Sequence, residues 1–408
     1  MFQLLIRNVL IGGGSGAKDL VIDRGRICRI GANLEVTAQR EIDGAGGYLL
    51  PGFVDAHVHL DKALTAGTFV NRSGTLDEAI RNAMELKRRF NREDLLHRGR
   101  EAIKTALSHG TCSMRTHVDI DDMVGLLGIE VLLSLKEEFD GMMDLQIVAF
   151  PQSGILTTPG VKEMLEEALR MGADVLGGIP VRDISPEQHI DYLLELASRY
   201  GVPLDLHVDE SDNPDDFTLP YLASEIVKTD FPYAVTVGHL CSLAAVSDEQ
   251  AQRGIDLLQE SGIHVMTLPL TNLYLQGRDD KGLVRRGITR VRELVDAGIN
   301  LSVASDNVQD PFNPMGDFDL KKAAWLLTYL AHFPFPSQMD DLLNMVTKNP
   351  AKAIGLKDYG LEGGCRANLV LYSVNQLQNV IIKQPQPDLV ISHGKIVYQG
   401  HHSKHLIT

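Results

Sequence analysis

GFVDAHVH, residues 52–59, is a short apolar run that ends on two histidines, and seven runs of the same kind follow it. They are TCSMRTHVD (111–119), LQIVAFPQ (145–152), DVLGGIP (174–180), PLDLHVDE (203–210), AVTVGHL (234–240), IHVMTLPL (263–270) and LSVASDN (301–307). Between them lie amphipathic stretches such as TLDEAIRNAMELKRRF (75–90) and VKEMLEEALRMGA (161–173), whose apolar residues recur at helical spacing. Short β-rich runs alternating with helices describe βα units on a parallel sheet. Eight of them point to a (β/α)8 TIM barrel, with an open doubly wound sheet as the alternative.

The two ends of the chain have another texture. Residues 2 to about 50 carry QLLIRNVL, DLVIDRGRICRIG and AQREIDGAGGYLL, and the tail carries ANLVLYS (367–373) and PDLVISHGKIVYQG (387–400). Alternating segments with glycine at the turns read as short antiparallel strands and hairpins. Neither end alone is long enough for a sandwich, so residues 1–50 and 357–408 are expected to form one discontinuous β domain beside a barrel of residues 51–356.

Composition narrows the function. The chain has 408 residues, 44% hydrophobic and 23% charged, which is ordinary for a globular protein, and a formal charge of −15. A phosphate backbone requires clustered Lys and Arg, so a nucleic acid is a poor partner and a small-molecule substrate a better one. The start, MFQLLIRNVLIGGGSG, is interrupted by Arg7 and does not read as a signal peptide, and the apolar stretch from Lys322 to Phe335 is too short and broken to span a bilayer. A cytoplasmic protein that does not bind membrane is expected. The four cysteines, Cys28, Cys112, Cys241 and Cys365, are scattered singly and are expected to be buried packing residues, as is Trp325 with the aromatics around it.

His57 and His59 alternate with Val58, so both imidazoles project from one face of their strand, a geometry that suits a metal. An HxH alone is equally consistent with two ordinary strand histidines. The other runs change the balance: His207 ends PLDLHVDE, His239 ends AVTVGHL and Asp306 ends LSVASDN, each at the catalytic end of its strand. His57, His59, His207 and Asp306 supply three imidazoles and one carboxylate, enough for one divalent ion, Fe2+ or Zn2+, with a position left for water. His239 is then free for proton transfer, and Glu210 is a second acid-base candidate. His117, in RTHVD, is assigned a supporting or structural role. A two-metal site would usually need a bridging lysine on the fourth strand, and DVLGGIP has none. The remaining histidines, including His97, His109, His189, His264, His332, His393, His401, His402 and His405, read as ordinary.

FVDAHVHLDK, RTHVDIDD, IVAFPQSGI, LHVDE, GHL and SDN, in this order, resemble the amidohydrolase superfamily and its cytosine deaminase-like branch. LQIVAFPQSGI, LEEALRMGADVLGG, TLPLTNLYLQGR and RRGITRVRELVDAGIN carry the same resemblance over nearly the whole chain. It implies a distorted barrel with a small β-sandwich built from both termini, a single iron or zinc ion, and homo-oligomers. Position by position, it puts the metal ligands on His57, His59, His207 and Asp306, a proton-shuttling acid on Glu210, and a histidine beside the bound water on His239. Substrate would meet Gln152, which reads a carbonyl edge, and the backbone at Leu76. The chain departs from the cytosine-specific pattern in one place, where Asn307 and Phe312 stand in place of an aspartate and a tryptophan, so these two are expected to reshape the pocket.

The resulting expectation is hydrolytic deamination of a cytosine or 5-methylcytosine class of substrate, with attack by metal-activated water and release of ammonia. The alternative on the same site is hydrolysis of an N-alkylamino triazine or a cyclic amide or amidine. A non-catalytic binding protein on this fold ranks last, since all four ligand positions are filled.

Overall fold

The computed structural model describes residues 1–400 apart from 13, 15, 279, 283–285 and 335–337. His401, His402, His405 and Phe335 therefore lie outside the described residues. Among the described residues sixteen strands form two sheets. The N-terminal strands are β1 Phe2–Ile11, β2 Lys18–Asp23, β3 Arg26–Gly31, β4 Ala38–Asp43 and β5 Tyr48–Pro51. Those of the middle are β6 Phe53–Val58, β7 Thr111–Asp119, β8 Asp144–Phe150, β9 Val175–Gly178, β10 Leu204–Val208, β11 Val235–His239, β12 His264–Thr267 and β13 Leu301–Val303. The tail adds β14 Leu369–Tyr372, β15 Leu389–Ser392 and β16 Lys395–Gln399.

Strands β6 to β13 pair in chain order, each parallel to the next, with helices between them. Each of the eight runs quoted above contributes one strand. These strands are buried along their whole length or nearly so, as expected where helices cover one face and the barrel interior the other. The last run breaks early: β13 ends at Val303, and closure onto β6 comes from a single parallel bridge between Val58 and Asp306, with the Asp306 N–H donating to the His57 carbonyl at 2.8 Å. The protein is thus a (β/α)8 barrel distorted at one seam. IHVMTLPL also ends sooner than its apolar content suggests, because Pro269 begins a helix, Pro269–Leu275, where a missing N–H costs nothing.

The terminal strands form a β-sandwich around Leu4, Ile6, Val9, Leu20, Ile22, Leu49, Leu369 and Ile391. Strand β1 serves both layers. Its first half pairs antiparallel with β2 and parallel with β4, its register breaks between Ile6 and Val9, and beyond Asn8, at φ 55°, it pairs parallel with β5. The expectation of purely antiparallel strands is corrected here: the bend in β1 lets β4 and β5 lie beside it in succession instead of folding on each other. Strand β5 then pairs with β14, joining the two ends of the chain. The hairpin turns Arg24-Gly25 and His393-Gly394, all at positive φ, meet so closely that a Cβ on Gly394 would sit 2.6 Å from the Gly25 Cα.

Two packing expectations fail. Cys28 lies on the outer face of β3 and is exposed, and Cys365 is partly exposed; Cys112 and Cys241 are buried. On the helix Leu320–Leu330 the buried stripe takes Leu320, Ala323, Ala324 and Leu327, which leaves Trp325 and Tyr329 on the outer face, edge to face with ring centroids 5.0 Å apart. Among the described residues no helix is long and apolar enough to cross a membrane.

Candidate active site

The polar strand tips converge at the C-terminal mouth of the barrel. Three of these tips leave their strands sharply: Asp209 has φ 58°, His239 φ 70° with Leu240 at 51°, and Asp306 φ 57°. Left-handed backbone in such residues costs about 1–3 kcal/mol each and persists only where surrounding structure enforces it. The enforcement is visible. The buried Asp209 carboxylate accepts from the Thr218 N–H at 2.8 Å, its hydroxyl at 2.7 Å and the Leu219 N–H at 3.1 Å, while the Leu240 N–H donates to the Val208 carbonyl at 3.0 Å.

His57, His59 and His207 offer ring nitrogens that lie, with one from His117, within 4.8 Å of one another. An Asp306 oxygen stands 3.4 Å from His59 Nε2 and 3.8 Å from His57 Nε2. All of these side chains are buried. Among the described residues, both ring nitrogens of His57, Nε2 of His207 and both oxygens of Asp306 have no hydrogen-bond partner. A buried polar atom without a partner costs about 1–3 kcal/mol, so His57 Nε2, His207 Nε2 and the two Asp306 oxygens together mark a place shaped for a cation, while His57 Nδ1 lies on the Asp205 side of its ring at 3.9 Å. Burial and neighbouring imidazoles hold His57, His59 and His207 well below the usual histidine range, keeping them in the neutral form that ligates metal. Burial and the nearby Glu210 push Asp306 well above the usual carboxylate range, a penalty that a divalent cation would reverse. The cluster can therefore hold a divalent ion.

Beside it, His239 Nε2 lies 3.1 Å from His207 Nδ1, and its Nδ1 is 3.0 Å from the Asn272 amide and 3.6 Å from Glu210 Oε1. Burial raises Glu210 to about 7, with Arg182 pulling the other way, and lowers His239 to about 3. Glu210, His239, His207 and His59 face a pocket of about 190 Å³, whose walls include Gln152, Leu76, Asn307 and Phe312. The sequence-nominated residues are thus brought together, either in the cluster or on this wall. Asn307 does not point freely at substrate: its amide donates to Asp310 at 2.7 Å, and Phe312 packs with Ala79, Ala83 and Leu275.

His117 sits closer to the cluster than its sequence context indicates, with its ring 4.0 Å from that of His57 and Nε2 3.2 Å from Asp205. Asp205 is held in turn by Arg115 at 2.7 Å, and Arg115 by Gln146 at 2.9 Å, giving the barrel interior a polar floor under the imidazoles. Sequence reading missed the pocket residues Asp77, Ile179, Val181, Arg182, Ser211 and Asp216. Their one available signal was position, since most follow directly on strand ends, where barrel sites are built.

The amidohydrolase family profile matches residues 122–398. The chain is 30% identical over 404 residues to N-isopropylammelide isopropyl amidohydrolase of Pseudomonas sp. strain ADP, covering 97% of each. It is 32% identical over 365 residues to pterin deaminase of Rhizobium rhizogenes, covering 87% of this chain and 82% of the relative. Among solved structures, 5-methylcytosine deaminase from Klebsiella pneumoniae liganded with 5-fluorocytosine superposes with a TM-score of 0.94 at 34% identity, over 99% of each chain. N-isopropylammelide isopropylaminohydrolase from Burkholderia multivorans gives 0.85 at 31% identity, over 97% of this chain and 98% of that one.

Proposed function

The chain belongs to the amidohydrolase family and is a hydrolase of C–N bonds, and on that premise we propose that it deaminates a cytosine-like amino-substituted pyrimidine of the cytosine or 5-methylcytosine class. One observation carries the reading. Glu210, a buried carboxyl whose proton affinity is raised to about 7, faces the same small pocket as the imidazole and carboxylate cluster, with the Gln152 amide also on its wall.

In this reading His57, His59, His207 and Asp306 hold one divalent ion, iron(II) or zinc, both of which accept three imidazoles and a carboxylate. Such an ion, when bound, supplies Lewis acidity that brings the pKa of water near neutrality. Asp306, with His239 beside it, takes up a proton from the attacking water. Glu210 delivers a proton to the ring nitrogen next to the attacked carbon, which makes that carbon electrophilic. As the C–O bond forms and the exocyclic C–N bond breaks, one water proton ends on the ring nitrogen and the other leaves with ammonia. Gln152 offers both a donor and an acceptor to a carbonyl and ring N–H edge, and the backbone at Leu76 is a further part of the same wall. Asn307, anchored by Asp310, and Phe312 set the pocket's shape.

A second reading keeps the site and changes the leaving group to an alkylamine. It is favoured by the full-length similarity to the isopropylammelide hydrolases. Incubation of metal-loaded protein with cytosine, 5-methylcytosine, isoguanine, creatinine and N-alkylaminotriazines, with ammonia and alkylamine measured separately, tests both. Ammonia from a pyrimidine is the expected result; alkylamine alone would replace the first reading by the second, and neither product from any compound would overturn both.

A further inference from the structure

Arg182 lines the pocket and plays no part in the mechanism above. It closes the 3-10 turn Pro180–Arg182 that follows β9, its N–H bonded to the Ile179 carbonyl at 3.1 Å. The next residue is clamped. The Asp183 carboxylate accepts three consecutive backbone N–H groups, from Ile155 at 2.8 Å, Leu156 at 2.9 Å and Thr157 at 3.0 Å, and the Thr157 hydroxyl at 3.0 Å. It also lies 2.5 Å from Nδ1 of the fully buried His189. The loop it grips is the one that follows Gln152. One carboxylate therefore fixes Gln152 and Arg182 in a common frame, as a recognition pair should be held.

The guanidinium itself is unclaimed. Among the described residues, the buried or half-buried Lys62, Lys87, Arg98, Arg115 and Lys136 each have a carboxylate within 4.0 Å, and Arg182 has neither an ion pair nor a side-chain hydrogen bond. Asp77 and Asp216 line the same pocket without pairing with it. The charge nonetheless reaches the pocket interior, since it acts on the Glu210 carboxyl. A planar five-donor fork carried on a clamped turn beside a pocket matches the two oxygens of a carboxylate. A neutral pyrimidine would leave that fork without a partner.

We propose that Arg182 is a specificity-determining residue that selects amino-substituted heterocycles bearing a carboxylate on the ring edge facing the β9 turn. The inference rests on the deaminase reading of this site and names its substrate class.

Two matched pairs test it: cytosine with 5-carboxycytosine, and pterin with 6-carboxypterin. For each pair, kcat/KM for ammonia release and binding by calorimetry are measured on metal-loaded wild-type protein, R182M and R182K. Wild type should favour the carboxylated member of at least one pair. R182M should lower the carboxylated-to-neutral ratio roughly 10- to 100-fold, the scale of a lost charged hydrogen bond, and R182K should retain part of it. A ratio that R182M leaves unmoved, or a wild-type protein that neither turns over nor binds a carboxylated member better than its neutral partner, overturns the inference. Ammonia from the neutral members alone leaves the deaminase reading standing and removes the selection by Arg182. Binding of a carboxylated member that depends on Arg182, without ammonia from any compound, supports the selection and sinks the deaminase reading.

Discussion

Two buried polar clusters meet at His59, and they are built on opposite principles. On one side, His57, His207 and Asp306 carry ring nitrogens and carboxylate oxygens that, among the described residues, have no hydrogen-bond partner. On the other, Lys62 and Lys87 share the Asp119 carboxylate at 2.7 and 2.8 Å, Lys87 reaches Asp121 at 2.5 Å, and Lys62 stands 3.5 Å from Asp61. Burial pulls the Lys62 ammonium down, yet Asp119 and Asp61 hold it above its usual value, so its charge is matched within the protein. Lys62 Nζ is also 3.1 Å from His59 Nδ1, which places the complete cluster directly behind the incomplete one. A buried polar group is tolerated when partnered. The first cluster sets its one carboxylate among neutral imidazoles, while the second pairs its carboxylates with ammonium groups and so ties the helix Leu76–Lys87, and with it the Leu76 wall of the pocket, to the barrel.

The difference can be broken at several points. The largest effect should come from Asp306→Ala. Turnover should fall on the order of 10^4-fold or more, and metal content by elemental analysis should drop well below one per chain, since the incomplete cluster loses its only carboxylate. Full occupancy with substantial activity would show that the cluster is not the metal centre. Glu210→Gln comes next: kcat should fall roughly 10^2- to 10^4-fold, the range of a lost acid-base group, with metal retained. Loss of the ion together with activity would make Glu210 a ligand instead.

Lys87→Met probes the complete cluster. Removing one partner from a buried ion network costs about 3–5 kcal/mol, here by leaving Asp119 and Asp121 short of a cation, and urea unfolding should show it while metal stoichiometry holds. An unchanged midpoint would mean that these charges are not matched as the distances imply. The smallest effect is a pH slope. His264, 3.2 Å from Asn300 Nδ2, is lowered to about 4 by burial, Lys352 and Arg115. The unfolded chain binds that proton near 6.5 and the folded chain near 4, so stability is complete above about 6.5 and falls as pH drops through that window. His264→Gln should flatten the fall in urea midpoint between pH 7 and pH 4.5. An identical slope in wild type and variant would remove His264 as its source.

How far the sequence reached can be judged from particular residues. His57, His59, His207, His239 and Asp306 were legible because a polar residue at the end of a short apolar run is a local pattern, and eight such runs alternating with helices specify a barrel. Arg182 was not legible, because GGIPVRD carries no sign that the next carboxylate would grip a loop 26 to 28 residues away and leave the guanidinium unpaired. Trp325 misled, since a helix with apolar residues on more than one side does not announce which side faces the core. Cys28 misled for a related reason: residue type suggests burial, while the outward side of β3 decides otherwise.

By itself the sequence determined the alternation of strands and helices, the identity of the polar side chains at the strand tips and the kinship with the amidohydrolases. Tertiary structure decided the rest: the seam where one bridge between Val58 and Asp306 closes the barrel, the bend at Asn8 that carries β1 from one layer to the other, and which buried charges meet a partner and which do not. The reason is the range of the forces involved. Periodicity and turn chemistry act over a few residues and leave a trace in the chain, whereas the partner of a buried charge is fixed by packing between segments tens to hundreds of residues apart.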